Sequence, residues 1–251
     1  MVFPIGDDNT GRVRTPYFTY ALIAVNVLVF VLLQGMGTNE QFTYAFATVP
    51  QEIRTGDDVA RSVPVEIGDE RGTIPLQPTP GHVYLTLLIS MFMHGSLMHL
   101  LGNMLFLWIF GDNIEDEIGH GRYLGFYLVT GVLASLAHVV STFVVGDNPY
   151  IPSLGASGAI SGIMGGYLVL HPHRRVRVIM LRMLTEVPAY VAVGLWFVFQ
   201  LISAFGVIGQ GPQSGGGVAF MAHIGGFIAG VVLVKVFGIG SQRLVRPPAF
   251  P

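Results

Sequence analysis

Residues 154–170 read LGASGAISGIMGGYLVL, a run of small and apolar residues without a single charge. About 17–25 such residues cross a bilayer as one helix. This run opens with a hydroxyl, Ser157, set between Gly155-Ala156 and Gly158. In hydrocarbon a polar group is costly unless it faces a partner or a water-filled cavity. Five further stretches have the same apolar character: Tyr17–Leu33, a composite from Val83 to Phe110, Tyr123–Val145, Val187–Ile208 and Val218–Ile239. With Leu154–Leu170 they make six candidate spans. Apolar residues are 51% of the chain and charged ones 11%, the latter less than half the roughly 25% of a soluble domain. The fold expected is an all-α polytopic membrane protein, a bundle of six transmembrane helices.

Basic residues set the expected orientation. Arg12 and Arg14 precede the first span and Arg122 precedes the third. Arg174, Arg175, Arg177 and Arg182 lie between the fourth and fifth, and Arg243 and Arg246 follow the sixth. Loops 146–153 and 209–217 hold no Lys or Arg. Both termini are therefore expected in the cytoplasm, with residues 1–16 as a polar leading segment, 17–240 as the membrane domain and 241–251 as a tail. Residues 1–16 lack the apolar core of a cleavable signal, and a bacterial plasma membrane is the expected location. The long outer connection, 35–82, divides in two. Gln41–Arg54 is expected to form a short amphipathic structure on the membrane surface. Residues 56–80, broken by Pro64, Pro75, Pro78 and Pro80, read as a mobile insertion. A net charge of −2 gives no reason to expect nucleic acid, and the absence of cysteine excludes disulfides and thiolate metal sites.

Depth selects the chemistry. Ser157 begins the fourth span just below the outer loop, and His223 lies a few residues into the sixth. At 1.5 Å per residue both sit roughly 5–10 Å below the outer surface. His94, His99 and Asn103 fall in the outer half of the second span. Gly158, Gly162 and Gly166 recur every four residues, as do Ala222, Gly226 and Gly230. Such stripes let helix backbones approach closely in lipid, which would bring Ser157 against His223. A hydroxyl beside an imidazole is the minimal pair for nucleophilic catalysis. His138, in the third span, has no such partner and reads as structural.

The segments HGSLMHLLGN (94–103), GASG (155–158) and AHIGGFIAG (222–230) resemble the three signature motifs of the rhomboid intramembrane serine proteases. GDNIEDEIG (111–119) is similar to the loop after that family's second span. The resemblance implies that Ser157 is the nucleophile and His223 the general base. It also implies that Asn103 and His99 donate to the oxyanion together with the Ser157 backbone amide, with His94, Gly155, Gly158 and Gly226 in support. Substrates would be transmembrane segments of other proteins, cut within the lipid bilayer after a small residue, with no cofactor, no metal and no obligatory partner. Two positions depart from the pattern of some members. Ser161 stands where an aromatic residue can stack on the histidine, and 83–93 lacks a Trp-Arg pair.

Other readings fit less well. A zinc hydrolase wants histidines four apart on one helical face, whereas His94 and His99 are five apart. The α/β-hydrolase elbow needs Gly-x-Ser-x-Gly after a strand, and residue 159 is alanine. A transport path needs polar groups through the full depth, but the inner halves of the fourth to sixth spans are apolar apart from Lys235. A non-catalytic relative that only retains clients would have lost the serine or the histidine. Asp147 and Glu186 sit at span ends, so a dyad rather than a triad is expected, with the histidine oriented from elsewhere.

Overall fold

The computed structural model describes residues 2–67, 70–180, 183–209 and 219–239. The expectations for Arg182, for most of loop 209–217 and for the tail 241–251 with Arg243 and Arg246 lie outside the described residues. The chain is mostly helical. Helix α1 (Tyr17–Leu28) closes with a π-turn over Val29–Leu33. Short helices α2 (Glu40–Phe46), α3 (Pro50–Thr55) and α4 (Thr86–Ile89) follow, then α5 (Leu97–Ile118) and α6 (His120–Val145). The last are α7 (Ser157–Leu170), α8 (Ala189–Gly209) and α9 (Phe220–Gly238). Helices α5, α6 and α9 are long and apolar enough to cross a membrane; Tyr17–Leu33, Ser157–Leu170 and Ala189–Ala204 are apolar but shorter.

Helix α7 lies at the centre, packed on α5, α6 and α9, and every residue from Gly158 to Tyr167 is buried. A side-chain carbon on Gly226 would strike the carbonyl of Gly158, and one on Gly230 that of Gly162. The glycines of α9 thus seat it directly on the α7 backbone. Gly158 and Gly162 themselves serve a different neighbour. Their missing side chains make room for Ala134 and Thr130 of α6, so α7 meets α6 on one flank and α9 on the other.

The structure refines four expectations. The second span, a composite in the sequence, is divided into separate helical pieces. A broken helical stretch runs through Phe92, Met93 turns extended, and α5 starts only after Ser96, whose hydroxyl accepts from the His99 amide at 3.1 Å. Such a serine cap satisfies one of the amides that a helix start leaves unpaired. Residues 111–118, read as a loop, continue α5. Asp112, Glu115 and Asp116 are buried, and the last two cap the leading segment: Glu115 accepts from the amides of Phe18 (2.9 Å) and Thr19 (2.7 Å), and Asp116 from those of Val13 and Arg14. Negative charge at the start of α1 is favoured by its dipole.

The helical expectation holds for most of the chain, and short strands accompany the helices. Strands β1 (Val2–Asp7), β4 (Arg175–Met180) and β5 (Met183–Pro188) form an antiparallel sheet in the order β1-β4-β5. The alternation Arg175-Val176-Arg177-Val178 has the period of a half-buried strand. Val176 and Val178 are fully buried with Ala189, Ala192 and Val193 of α8, and Phe3 meets the ring of Phe106 on α5 at 6.2 Å. The sheet thus fills the cleft between α5 and α8. Finally, the segment expected to be a mobile insertion carries a hairpin, β2 (Ser62–Ile67) with β3 (Glu70–Pro75), whose Val63 packs with Val49 and Leu76.

Candidate active site

Three ties build the loop that precedes Ser157. Thr48 and Ser153 exchange backbone hydrogen bonds at 2.9 and 2.8 Å, joining the outer helices to this loop. The Gly155 amide donates to the carbonyl of Ser90 at 2.9 Å. Gly155 itself has φ +132°, a conformation that L-residues rarely adopt. A side-chain carbon there would lie 2.9 Å from His99 Cε1, so glycine is required twice over. The chain then turns into α7 with Ser157 as its first residue.

His223, near the start of α9, places Nε2 2.8 Å from Ser157 Oγ. The two residues singled out from depth and glycine spacing are therefore brought together. On the other side of the ring, Nδ1 lies 2.8 Å from Oε1 of Gln200 on α8, a residue that the sequence reading missed. Its signal was an amide within the apolar run Trp196–Ile202, where a polar group needs a reason. Trp196, one turn before Gln200, faces the His223 ring at 6.1 Å, and Phe220 meets it edge-on at 6.4 Å. Ser161 does not approach the ring from α7; its hydroxyl donates to the Ser157 carbonyl at 2.6 Å.

Across the cavity, Asn103 is 7% exposed and its Nδ2 has no hydrogen-bond partner among the described residues. A buried donor left unpaired costs about 1–3 kcal/mol, so its persistence calls for an explanation. His99 receives the Gly95 amide on Nδ1 at 3.4 Å, which leaves Nε2 as the protonated, donating nitrogen. The space beside Gly155 is 3.1 Å from that Nε2 and 3.7 Å from Ser157 Oγ. His99 Nε2 and the hydroxyl thus border one spot, and Asn103 lines the same cavity. The first-turn amides of α7 add further donors, because a helix start leaves them without internal acceptors.

His94 is fully buried and packs edge-on against His99 at 5.1 Å. Its backbone, not its ring, makes the bonds: its amide donates to Gln34 Oε1 at 2.8 Å and its carbonyl accepts from Gln34 Nε2 at 3.0 Å. His138, set aside as structural, lines the same cavity. The cavity measures about 770 Å³ and is walled by α5, α6, α7, α8, α9 and the loop 147–154. Phe106, Ile160, Met164 and Trp196 give it apolar walls, and Ser157, His223, His99, Asn103, His138 and Gln200 are among its polar groups.

Residues 81–239 match the family model described as the Rhomboid domain. Among curated proteins, the chain is 28% identical over 226 residues to Rhomboid protease GluP of Bacillus subtilis, covering 89% of this chain and 35% of that protein. It is 30% identical over 153 residues to Rhomboid protein 1, mitochondrial, of Saccharomyces cerevisiae, covering 59% and 40%. With the human Presenilin-associated rhomboid-like protein, mitochondrial, identity is 36% over 99 residues, 39% of this chain and 26% of that protein. The chain spans about a third of the length of these relatives.

Proposed function

The chain belongs to the rhomboid family, and from that premise we propose that it is an intramembrane serine endopeptidase acting through Ser157 and His223. The observation that carries this reading is the 2.8 Å contact between Ser157 Oγ and His223 Nε2 at the wall of a large cavity.

In the reaction, Ser157 Oγ attacks the scissile carbonyl carbon while its proton passes to His223 Nε2. The carbonyl π-electrons move onto oxygen, and that oxyanion accepts from Asn103 Nδ2, His99 Nε2 and the Ser157 amide. These donors are oriented before the charge develops, which is why such groups contribute to catalysis. The intermediate collapses, the C–N bond breaks, and the leaving amine takes the proton from His223. Water then attacks the acyl-enzyme with the same histidine as base, releasing the new carboxyl terminus and restoring the Ser157 hydroxyl. No cofactor or metal takes part in these steps.

The substrates are transmembrane segments of membrane proteins, with a small residue before the cut and helix-weakening residues such as Gly or Ser nearby, since a scissile carbonyl must leave its helical hydrogen bond. The protein domain is 17–240, with six spans, both termini cytoplasmic, the connection 35–82 outside and the site opening outward in a bacterial plasma membrane. The basic and neutral loops support that orientation.

The test uses purified protein in proteoliposomes with a fluorescently labelled transmembrane substrate. Wild type cleaves it, Ser157→Ala and His223→Ala do not, and a fluorophosphonate labels wild type but not Ser157→Ala. Cleavage by Ser157→Ala at the wild-type rate would refute the assignment.

A further inference from the structure

We propose that Gln200 is the positioning residue for His223, doing with a neutral amide what a buried carboxylate does in a Ser-His-Asp triad. This rests on the reading of Ser157 and His223 as the reacting pair. Gln200 is 6% exposed, sits on α8, and presents Oε1 to His223 Nδ1 at 2.8 Å, while Nε2 of the same ring meets Ser157 Oγ at 2.8 Å.

Proton bookkeeping gives the amide its role. A neutral imidazole carries one N–H and one acceptor nitrogen. An amide oxygen facing Nδ1 can only accept, so Nδ1 carries the hydrogen and Nε2 keeps its lone pair toward the serine. That tautomer alone can take the Ser157 proton. The opposite tautomer would point N–H at the hydroxyl and block the first step. When Nε2 gains the proton, the Nδ1–H bond to Gln200 becomes charge-assisted and strengthens as the transition state forms.

The choice of an amide follows from depth. A carboxylate among the apolar residues of α8 would have to be desolvated in every resting molecule. It would also favour the protonated imidazole, so more of the enzyme would rest in the non-basic form near neutral pH. Trp196, four residues earlier and hence on the same helical face, closes the remaining side of the ring. Helix α8 therefore supplies the orientation that Ser161 on α7 does not. Among the described residues no acid bonds to the His223 ring; the titratable groups sharing the cavity wall with it are His99 of α5, His138 of α6 and Asp147 just after α6.

Two variants test the proposal in proteoliposomes, with fluorophosphonate labelling of Ser157 as a readout independent of substrate binding. Gln200→Met keeps length and apolarity but offers no oxygen to Nδ1; its labelling rate and kcat are expected to fall about ten- to a hundredfold, the cost of orphaning a buried donor. Gln200→Glu restores an oxygen acceptor. It is expected to recover most of the rate above neutral pH, with the acid limb of kcat/KM moved about one unit or more toward higher pH, because a carboxylate favours the protonated imidazole. Labelling of Gln200→Met at the wild-type rate would overturn the proposal. So would a Gln200→Glu protein that folds but shows an unshifted acid limb, a result that decides the matter even if Gln200→Met fails to fold. If Ser157→Ala still cleaves, the protease reading itself fails. If Ser157→Ala is dead and Gln200→Met is fully active, only the role of Gln200 fails.

Discussion

Replacing Gly226 by alanine adds one methyl group, yet the structure leaves no room for it. The new carbon would stand 3.0 Å from the Gly158 carbonyl carbon, closer still to the carbonyl oxygen, and 3.2 Å from Ala134 Cβ. Ordinary carbon contacts are about 3.5–4.0 Å. The obstruction is helical backbone, which cannot rotate aside as a flexible side chain would. Helix α9 must therefore retreat from α7 by on the order of 1 Å. Overpacking of this kind typically costs about 1–3 kcal/mol. The kinetic effect is larger, because His223 sits less than one turn before Gly226 and Ser157 is the residue next to Gly158. A retreat of about 1 Å stretches the 2.8 Å Ser157–His223 contact beyond hydrogen-bond range. Misplacement on that scale can cost on the order of a hundredfold in rate. The measurement is kcat on a labelled transmembrane substrate, together with the midpoint of thermal unfolding in detergent. Gly194→Ala is the control: it lies on α8 with open space at its side-chain position, so activity should hold. Full activity and unchanged stability for Gly226→Ala would refute the argument that the α7–α9 seam sets the distance for proton transfer.

Two further outcomes are expected. Asn103→Ala should lower kcat by about 10²–10³, less than the loss for Ser157→Ala, because the oxyanion keeps other donors. Asn103 Nδ2 has no partner among the described residues, so relief of its unpaired burial offsets the packing lost on truncation; the unfolding midpoint should barely move, and a large drop would recast Asn103 as structural. Glu52, on α3, is 2% exposed; burial pushes its carboxyl up to about 7, opposed by the Val59 amide and helped by Asp58. A carboxyl raised above its unfolded value of 4.5 stabilises the fold at pH below that value, and the contribution is lost as pH rises through about 7. Glu52→Gln should therefore raise the unfolding midpoint by several degrees at pH 8 and change it little at pH 4.5, a gain on the order of 1–3 kcal/mol. Equal effects at both pH values would show that Glu52 does not titrate in this range.

The meeting of Ser157 and His223 was legible because two local signals coincided: polar residues at matched depth and glycines spaced to let their helices touch. Neither needs knowledge of a distant partner. The start of α5 was also readable, since Gly95-Ser96 before Leu97 is a break followed by a cap. Other features depend on contacts between segments far apart in sequence. The acids of 112–117 looked like loop residues because charges in a helix need partners, and theirs come from the leading segment, about a hundred positions away. Strand β1 is six residues long and pairs with β4, more than 170 positions later. In β4 the period-two alternation was visible, but four arginines in sixteen residues drew the reading toward a plain basic loop. Gln200 belongs to no motif and meets His223 twenty-three positions on, so only the phase of α8 could reveal it.

The two ends of α7 show why the polar groups at its start invite a chemical rather than a structural account. At the far end the buried polar groups are matched. The Tyr167 hydroxyl donates to Asp7 at 2.6 Å, the Asn113 amide donates to the same carboxylate at 2.7 Å, and Arg174 donates to Asn113. These bonds tie β1, α5 and the β4 loop into one corner, and each donor has an acceptor. At the Ser157 end the inventory is lopsided. Among the described residues Asn103 Nδ2 is buried without an acceptor, His99 Nε2 faces the space beside Gly155, and the first-turn amides of α7 lack intrahelical acceptors. The excess is all on the donor side, and the α7 dipole adds positive potential at that point. A surplus of donors around an empty spot next to a hydroxyl is costly in a resting protein. It becomes favourable only when a negatively charged oxygen occupies that spot. In the acyl transfer proposed for Ser157 the tetrahedral intermediate would place one there, and an imbalance that is unfavourable before the reaction would then stabilise its transition state.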